Sequence, residues 1–238
     1  MTLGDYLILF ISVMLSGSAY FLFKKTNTYF LKLTLSFTGA FLFAISVLHL
    51  MPEVYQHTGS SIGIFILIGF LFQIMLEFFS EGIEHGHMHV HKNHSGKFPF
   101  AMMISLCIHS FLEGMPLSHK FVHDHSHSLF IGIVMHHLPV AFALVSMLIE
   151  SGISRKKSLF FLALFALMAP AGSLFSNLIG QGIIPDISLY YDQMMAVVIG
   201  IFLHISTTIL FESNNDHRFN LYKLITIIAG GLTAFTLS

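Results

Sequence analysis

The chain has few charged residues, and this shortage narrows the classes of protein to which it can belong. Charged side chains make up 10% of its 238 residues and hydrophobic ones 55%, whereas soluble domains carry roughly 25% charged residues. No polar stretch is long enough to form a separate soluble domain. The composition therefore predicts an integral membrane protein, with the lipid bilayer as its surroundings.

Cysteine is also nearly absent, with Cys107 as its single occurrence. One cysteine excludes an intrachain disulfide and argues against a zinc site built from thiolates. The formal net charge is −1, so no excess of positive charge indicates nucleic acid binding. Histidine, in contrast, is abundant, with 16 residues against 11 Lys and Arg and 12 Asp and Glu.

Hydrophobic segments of about 20 residues, the length that crosses a bilayer as a helix, recur along the whole chain. We therefore predict an all-α integral membrane protein with one transmembrane transporter domain over residues 1–238. The eight predicted spans are about 3–23, 31–51, 61–83, 98–118, 128–150, 157–179, 189–211 and 220–238. The first segment has no basic start, so we expect a membrane span there rather than a cleavable signal peptide.

The basic residues predict how these spans are oriented. With the N-terminus outside, the outer connections contain Lys120, and the inner connections and their flanks contain the remaining ten of the 11 basic residues. The inner group is Lys24, Lys25, Lys32, Lys92, Lys97, Arg155, Lys156, Lys157, Arg218 and Lys223. Because Lys and Arg are enriched in cytoplasmic loops, we expect eight transmembrane helices with both termini outside. Seven spans with one re-entrant segment would break this asymmetry.

Two connections between the predicted spans are rich in histidine. The cytoplasmic loop 84–97 contains His85, His87, His89, His91 and His94. The external segment 118–127 contains His119, His123, Asp124, His125 and His127. Such tracts indicate loose metal capture at several sites, although an ordinary solvated loop is the alternative.

Ionisable residues also lie inside the predicted spans, where each is costly unless it is paired or hydrated. His109 and Glu113 are four residues apart and project from one helix face. His109 lies about 16 Å into the fourth span and His136 about 12 Å into the fifth, from the opposite side. A clamp of His109, Glu113 and His136 would suit zinc and similar divalent ions. The alternative is a structural hydrogen-bonded pair between helices.

Two further histidines are candidate metal ligands. His137 points about 100° away from His136 around the helix, so we expect it to hold a second ion or to handle protons beside the site. His204 lies about 22 Å into the seventh span, where a ligand role and a packing role are equally supported. His49 lies near the outer end of the second span, and the sequence suggests no partner for Glu77.

Prolines follow both sets of candidate ligands. Pro116 comes three residues after Glu113, and Pro139 comes three residues after His136. Each proline lacks an amide N–H and frees the carbonyl four residues earlier. Bent helices with spare carbonyls are typical of ion paths, although prolines are also generally commoner in membrane helices.

The segments HSFLEGMPLS (109–118) and HHLPVAFAL (136–144) resemble the paired signature of the ZIP family of divalent metal transporters. VLHLMPE (47–53) resembles that family's second span, and residues 150–170 resemble its fifth-to-sixth connection. The chain is identified as a divergent bacterial-type member.

The resemblance implies uptake of Zn²⁺, Fe²⁺ or Mn²⁺ toward the cytoplasm, through ligands His109, Glu113 and His136 between the fourth and fifth helices. It also implies a homodimer, an elevator-like movement of one helix group against another, and a bacterial inner membrane as the location. No catalytic residue and no organic cofactor are expected.

Three positions depart from the family pattern. Ser110, Val140 and Ala141 stand where the family has Asn, Glu and Gly, so a carboxylate and an amide are lost. His137 or His204 could compensate, and a site richer in neutral nitrogen would favour Zn²⁺ over Mn²⁺.

Two other functions are alternatives to transport. A non-transporting metal-binding or sensing paralogue is suggested by the missing carboxylate at Val140. A membrane-embedded metallohydrolase is disfavoured because the sequence has no H-E-x-x-H motif.

Overall fold

The structure, a computed structural model, describes residues 1–23, 28–80, 100–117, 126–178, 190–211 and 221–236. Within these residues the regular structure is helical, which confirms the predicted all-α class. The α-helices are α1 (Leu3–Ala19), α2 (Thr28–Ile45), α3 (Met51–Thr58), α4 (Gly63–Ser80), α5 (Phe100–Gly114), α6 (Ser126–Glu150), α7 (Arg155–Leu178), α8 (Tyr191–Phe211) and α9 (Leu221–Thr236).

Helix length and composition agree with a protein that crosses the membrane several times. In the part of the chain that the structure describes, 7 helical segments are long and apolar enough to span a bilayer, and Leu221–Thr236 is a shorter apolar helix. Large apolar side chains on the outer surface, such as Phe78 at 81% and Phe211 at 85% exposure, would be unfavourable in water and suit contact with lipid. The outside location of both termini stays a prediction.

The second helical segment is longer than the predicted span 31–51. Helix α2 continues through a π-helical turn at Ser46–Leu50 into α3, so the chain stays helical to Thr58. Pro52 lies at the start of α3. It has no N–H, so it cannot donate the helical hydrogen bond to a carbonyl of the previous turn. The wider π turn adjusts the backbone there, and it places His49 in a buried position.

The other prolines act differently from one another. Pro139 lies inside α6, as its position in the sequence predicted. Pro116 instead lies in a 3₁₀ turn, Met115–Leu117, that follows the end of α5 at Gly114. Glu113 is therefore in the last turn of α5, and Pro116 ends this helix rather than bending it.

The helices form two groups by their packing. In the first group α1 packs on α6 and α7, and α5 packs on α7. In the second group α8 packs on α4 and α2, and α2 packs on α9. The two groups meet where α2 contacts α6 and where α4 contacts α5.

Glycines allow the closest helix pairs inside each group. A Cβ atom at Gly114 would collide with the backbone of Ala169, and one at Gly172 with the carbonyl oxygen of Phe111, so α5 and α7 touch through their backbones. The same kind of contact joins α4 and α8 at Gly69 and Gly200. Such small-residue contacts are the usual way for helices to approach closely in lipid, where no hydrophobic effect draws them together.

We expect Gly172→Ala to destabilise the protein by about 1–3 kcal/mol, the usual effect of overpacking a tight contact. The matched control is Gly231→Ala, because a Cβ at Gly231 meets nothing within 4 Å. Thermal unfolding of the detergent-purified variants measures the difference. Equal midpoints for the two variants would contradict a tight contact between α5 and α7.

Candidate metal site

Helix α5 supplies a histidine and a carboxylate to one buried point. His109 and Glu113 are one turn apart, so both side chains leave the same face of the helix. The distance between His109 Nε2 and Glu113 Oε1 is 3.1 Å, and both side chains are 0% exposed. The predicted pair therefore exists, and it lies inside the protein rather than against lipid.

Helix α6 brings a second imidazole to the other oxygen of the same carboxylate. His137 Nε2 lies 2.9 Å from Glu113 Oε2, and the His137 side chain is 2% exposed. Glu113 is thus held between two histidines from two different helices. An isolated carboxylate at this depth would be strongly unfavourable. His137 stabilises it by a hydrogen bond, and both imidazoles stabilise it by charge when they are protonated.

The three side chains are close enough together to hold one metal ion. One ligand atom each from His109, Glu113 and His137 lies within 4.8 Å of the others, so small side-chain rotations would bring all three to the roughly 2.0–2.2 Å at which zinc is bound. Two nitrogens and one oxygen form a donor set that zinc accepts, with a fourth position open. We refer to His109, Glu113 and His137 as the buried trio.

His136 lies beside the buried trio. Its ring centroid is 5.9 Å from that of His109 and 6.0 Å from that of His137, and the residue is fully buried. Sequence reasoning placed His136 in the clamp and His137 outside it, whereas in the structure His137 contacts Glu113. Consecutive residues on a helix point about 100° apart, so one of the two histidines faces Glu113, and the rotation of α6 in the bundle decides which.

The wall around the trio is apolar. The ring of Phe165, on α7, packs edge-on against His137 with 5.4 Å between the ring centroids. Ser110, adjacent in sequence to His109, is 1% exposed, and Val140, one turn after His136, is also 1% exposed. Electrostatic attraction between a dication and the Glu113 carboxylate is stronger in such a buried environment than in water, and it opposes the cost of removing the ion from water.

His204 lies apart from the buried trio and pairs with a carboxylate that sequence reasoning left without a partner. Its Nε2 contacts Oε2 of Glu77, and the ring of Phe70 packs edge-on at a centroid distance of 5.1 Å. Both partners of His204 are on α4, so this pair belongs to the second helix group. His204 and Glu77 are both ionisable residues inside predicted spans, and each such residue requires a partner. This requirement could have linked them from the sequence.

The candidate loop ligands fall mostly outside the described residues. This applies to His85, His87, His89, His91, His94, His119, His123, Asp124 and His125. His127 is described, and it is exposed near the start of α6. Capture of metal by the two histidine-rich segments stays a prediction.

The chain is similar to a known protein family. A family model described as ZIP zinc transporter matches residues 98–238, which is more than half of the chain. The matched region begins just before α5 and contains every member of the buried trio.

We expect His137→Ala to weaken Zn²⁺ binding by roughly 100-fold, equivalent to about 2.7 kcal/mol, because it removes a ligand and leaves Glu113 with one imidazole. His136→Ala removes the same side chain one position away and should weaken binding less. Competition titration of the purified variants with a chromophoric chelator measures both Zn²⁺ affinities. Both variants keep the same histidine-rich loops, so any zinc bound there affects the two measurements alike. A larger loss in His136→Ala would show that His136, not His137, binds the ion.

Proposed function

The chain belongs to the ZIP zinc transporter family, and we propose that it moves Zn²⁺ toward the cytoplasm through the buried trio of His109, Glu113 and His137. Family membership supports a multi-pass membrane protein that transports divalent metal ions, and members of this family are transporters rather than enzymes. The identity of the ion, the direction of transport and the site are the parts that we propose.

The observation that carries the proposal is the double contact of one buried carboxylate with two imidazoles. When Zn²⁺ enters, Glu113 supplies the only negative charge within the trio, and the histidines contribute neutral nitrogens. Bound imidazole must be deprotonated, so metal entry is expected to release any proton held between Glu113 and its partners. This donor set favours Zn²⁺ over Mn²⁺, with Fe²⁺ between them in the usual order of affinities.

The division into two helix groups supports an elevator-like mechanism. The trio lies entirely on α5 and α6, both in the first group, while α2 and α4 of the second group face it across the boundary. A displacement of the first group along the second would carry all three ligands together without changing their mutual distances. The ion would thereby be exposed on one side of the membrane and then on the other.

The histidine-rich segments have roles at either end of this path. We propose that the external segment 118–127 concentrates ions before they lose water, and that the loop 84–97 receives them on the cytoplasmic side. We also propose a single transporter domain over 1–238, a homodimer and a bacterial inner membrane location.

We expect His109→Ala and Glu113→Ala to abolish Zn²⁺ uptake into proteoliposomes, because each removes a ligand from the centre of the path. His57→Ala and Glu150→Ala are matched controls, since they remove the same side-chain types at exposed helix ends. Uptake of radioactive zinc, with Mn²⁺ and Fe²⁺ as competitors, measures both rate and selectivity. Normal uptake by both trio variants would exclude this site.

A protein that binds metal without transporting it is the second candidate function. The observation that favours it is the pair Val140 and Ala141, which are buried beside the histidines of α6 and offer no carboxylate. If the wild-type chain binds Zn²⁺ but shows no flux, we expect Val140→Glu to restore flux by adding the missing negative charge. The same uptake assay measures the flux of this variant. The control is Val145→Glu, because Val145 is also fully buried on α6 and its replacement shows any unspecific effect of a buried carboxylate.

A further inference from the structure

A groove separates the two helix groups on the side of α6 that carries Met135 and Pro139. It has a volume of about 740 Å³ and is lined by α1, α2 and α6. This volume is within the roughly 300–1,000 Å³ typical of sites for small molecules. It is therefore large enough to hold a ligand, and it lies outside the metal site described above.

The hydroxyl groups that line the groove are already hydrogen-bonded. Ser16 Oγ donates to the carbonyl oxygen of Leu138 at 2.6 Å. Thr34 Oγ1 and Thr38 Oγ1 donate to carbonyl oxygens of the preceding turn of α2, at 2.8 and 3.1 Å. The other lining side chains are aliphatic or aromatic, and none of the lining residues is a carboxylate or an imidazole. The part of a ligand that lies in the groove is therefore expected to be apolar.

One end of the groove is aromatic and leads to a basic residue. Phe142 lines the groove, and its ring centroid is 5.7 Å from that of Tyr20, which is 5.7 Å from that of Phe21. The guanidinium carbon of Arg155 lies 4.4 Å from the centroid of Phe21. A cation–π contact thus holds a positive charge at the far end of the aromatic series that starts from the groove at Phe142.

Helix α2 adds a second cation next to the groove. Phe30 and Leu31 line the groove near the start of α2, and Lys32 follows them directly and is exposed. Lys156 and Lys157 continue the basic sequence after Arg155, and both are exposed. The apolar groove therefore has exposed basic residues next to Leu31 and beyond Phe142, a combination that matches a molecule with an apolar tail and an anionic head.

We propose that this groove binds an anionic phospholipid, with one acyl chain lying between α1, α2 and α6 and the phosphate near Arg155 and Lys32. In the predicted orientation these basic residues lie on the cytoplasmic side, the side on which anionic lipids attract Lys and Arg. The surrounding bilayer supplies this ligand at high local concentration. A neutral lipid would fill the channel but leave the cations without a partner.

The position of the groove gives the lipid an influence on transport. Its walls come from α1 and α6 in the first helix group and from α2 in the second. Met135 and Leu138, which line it, directly precede and follow the pair His136–His137 along α6. An acyl chain there contacts both groups at once and packs behind the helix segment that holds a metal ligand. Its occupancy would change the energy of any movement of one group past the other.

The acyl site is tested with Thr34→Phe, which fills the groove from α2. The matched control is Thr226→Phe on α9, where the threonine also donates to a carbonyl of its own helix, at 2.7 Å, but lies outside the groove. Native mass spectrometry of delipidated protein, titrated with phosphatidylglycerol, measures lipid affinity directly and does not depend on metal flux.

We expect the wild type and Thr226→Phe to bind the lipid alike and Thr34→Phe to bind it about tenfold more weakly. Equal melting temperatures of the two variants in lipid-free detergent would establish that both are folded. Equal phosphatidylglycerol affinity in Thr34→Phe and Thr226→Phe would overturn the proposal. So would a loss of dimers in Thr34→Phe with no change in lipid binding, which would assign the groove to a second copy of the chain.

The headgroup contact is tested with Arg155→Gln and Lys32→Gln. Each change should weaken phosphatidylglycerol binding by about fivefold, the effect of one basic residue near an anionic lipid surface. Binding of phosphatidylcholine, weaker in the wild type, should be unchanged in both variants. Equal affinity of the wild-type protein for the two lipids would overturn the anionic part of the assignment. Because the readout is lipid affinity, failure here is distinct from failure of the transport proposal.

Discussion

The contact of Glu113 with two imidazoles is the constraint on which the rest of this structure depends. A carboxylate with no exposed surface, in a chain surrounded by lipid, is tolerated when groups that can share a proton or a metal ion lie within hydrogen-bonding distance. His109 reaches Glu113 because both are on α5, one turn apart. His137 reaches it because α6 packs in a particular rotation. The candidate metal site is therefore also a contact between α5 and α6.

Helix α7 packs directly beside this contact. Helices α5 and α7 approach until their backbones touch at Gly114 and Gly172, and Phe165 of α7 then lies against the ring of His137. The second group has its own glycine contact between α4 and α8, and its own buried histidine and carboxylate, His204 and Glu77. The helices within each group are thus closely packed against one another. The boundary between them includes the large apolar groove, a less closely packed arrangement that is compatible with relative movement.

The membrane class, the approximate helices and the pair His109–Glu113 were predictable from the sequence because each depends on local information. The length of a hydrophobic segment indicates a membrane span, and a spacing of four residues indicates that two side chains share one face of a helix. The choice between His136 and His137 was not predictable, since it depends on how α6 is turned against α5. The extension of α2 through a π turn was also missed, because the residues that follow it, 52–58, begin with a proline and are mostly polar.

The sequence by itself determined the kind of protein and the chemistry available to it. Sixteen histidines, one cysteine and a carboxylate inside an apolar segment restrict a metal site to nitrogen and oxygen ligands. The tertiary structure alone decided which histidine meets which carboxylate: His137 meets Glu113, and His204 meets Glu77, 127 residues earlier in the chain. The physical reason is that side-chain direction along one helix follows from its period, whereas the relative rotation of two helices follows from the backbone contacts and side-chain volumes between them.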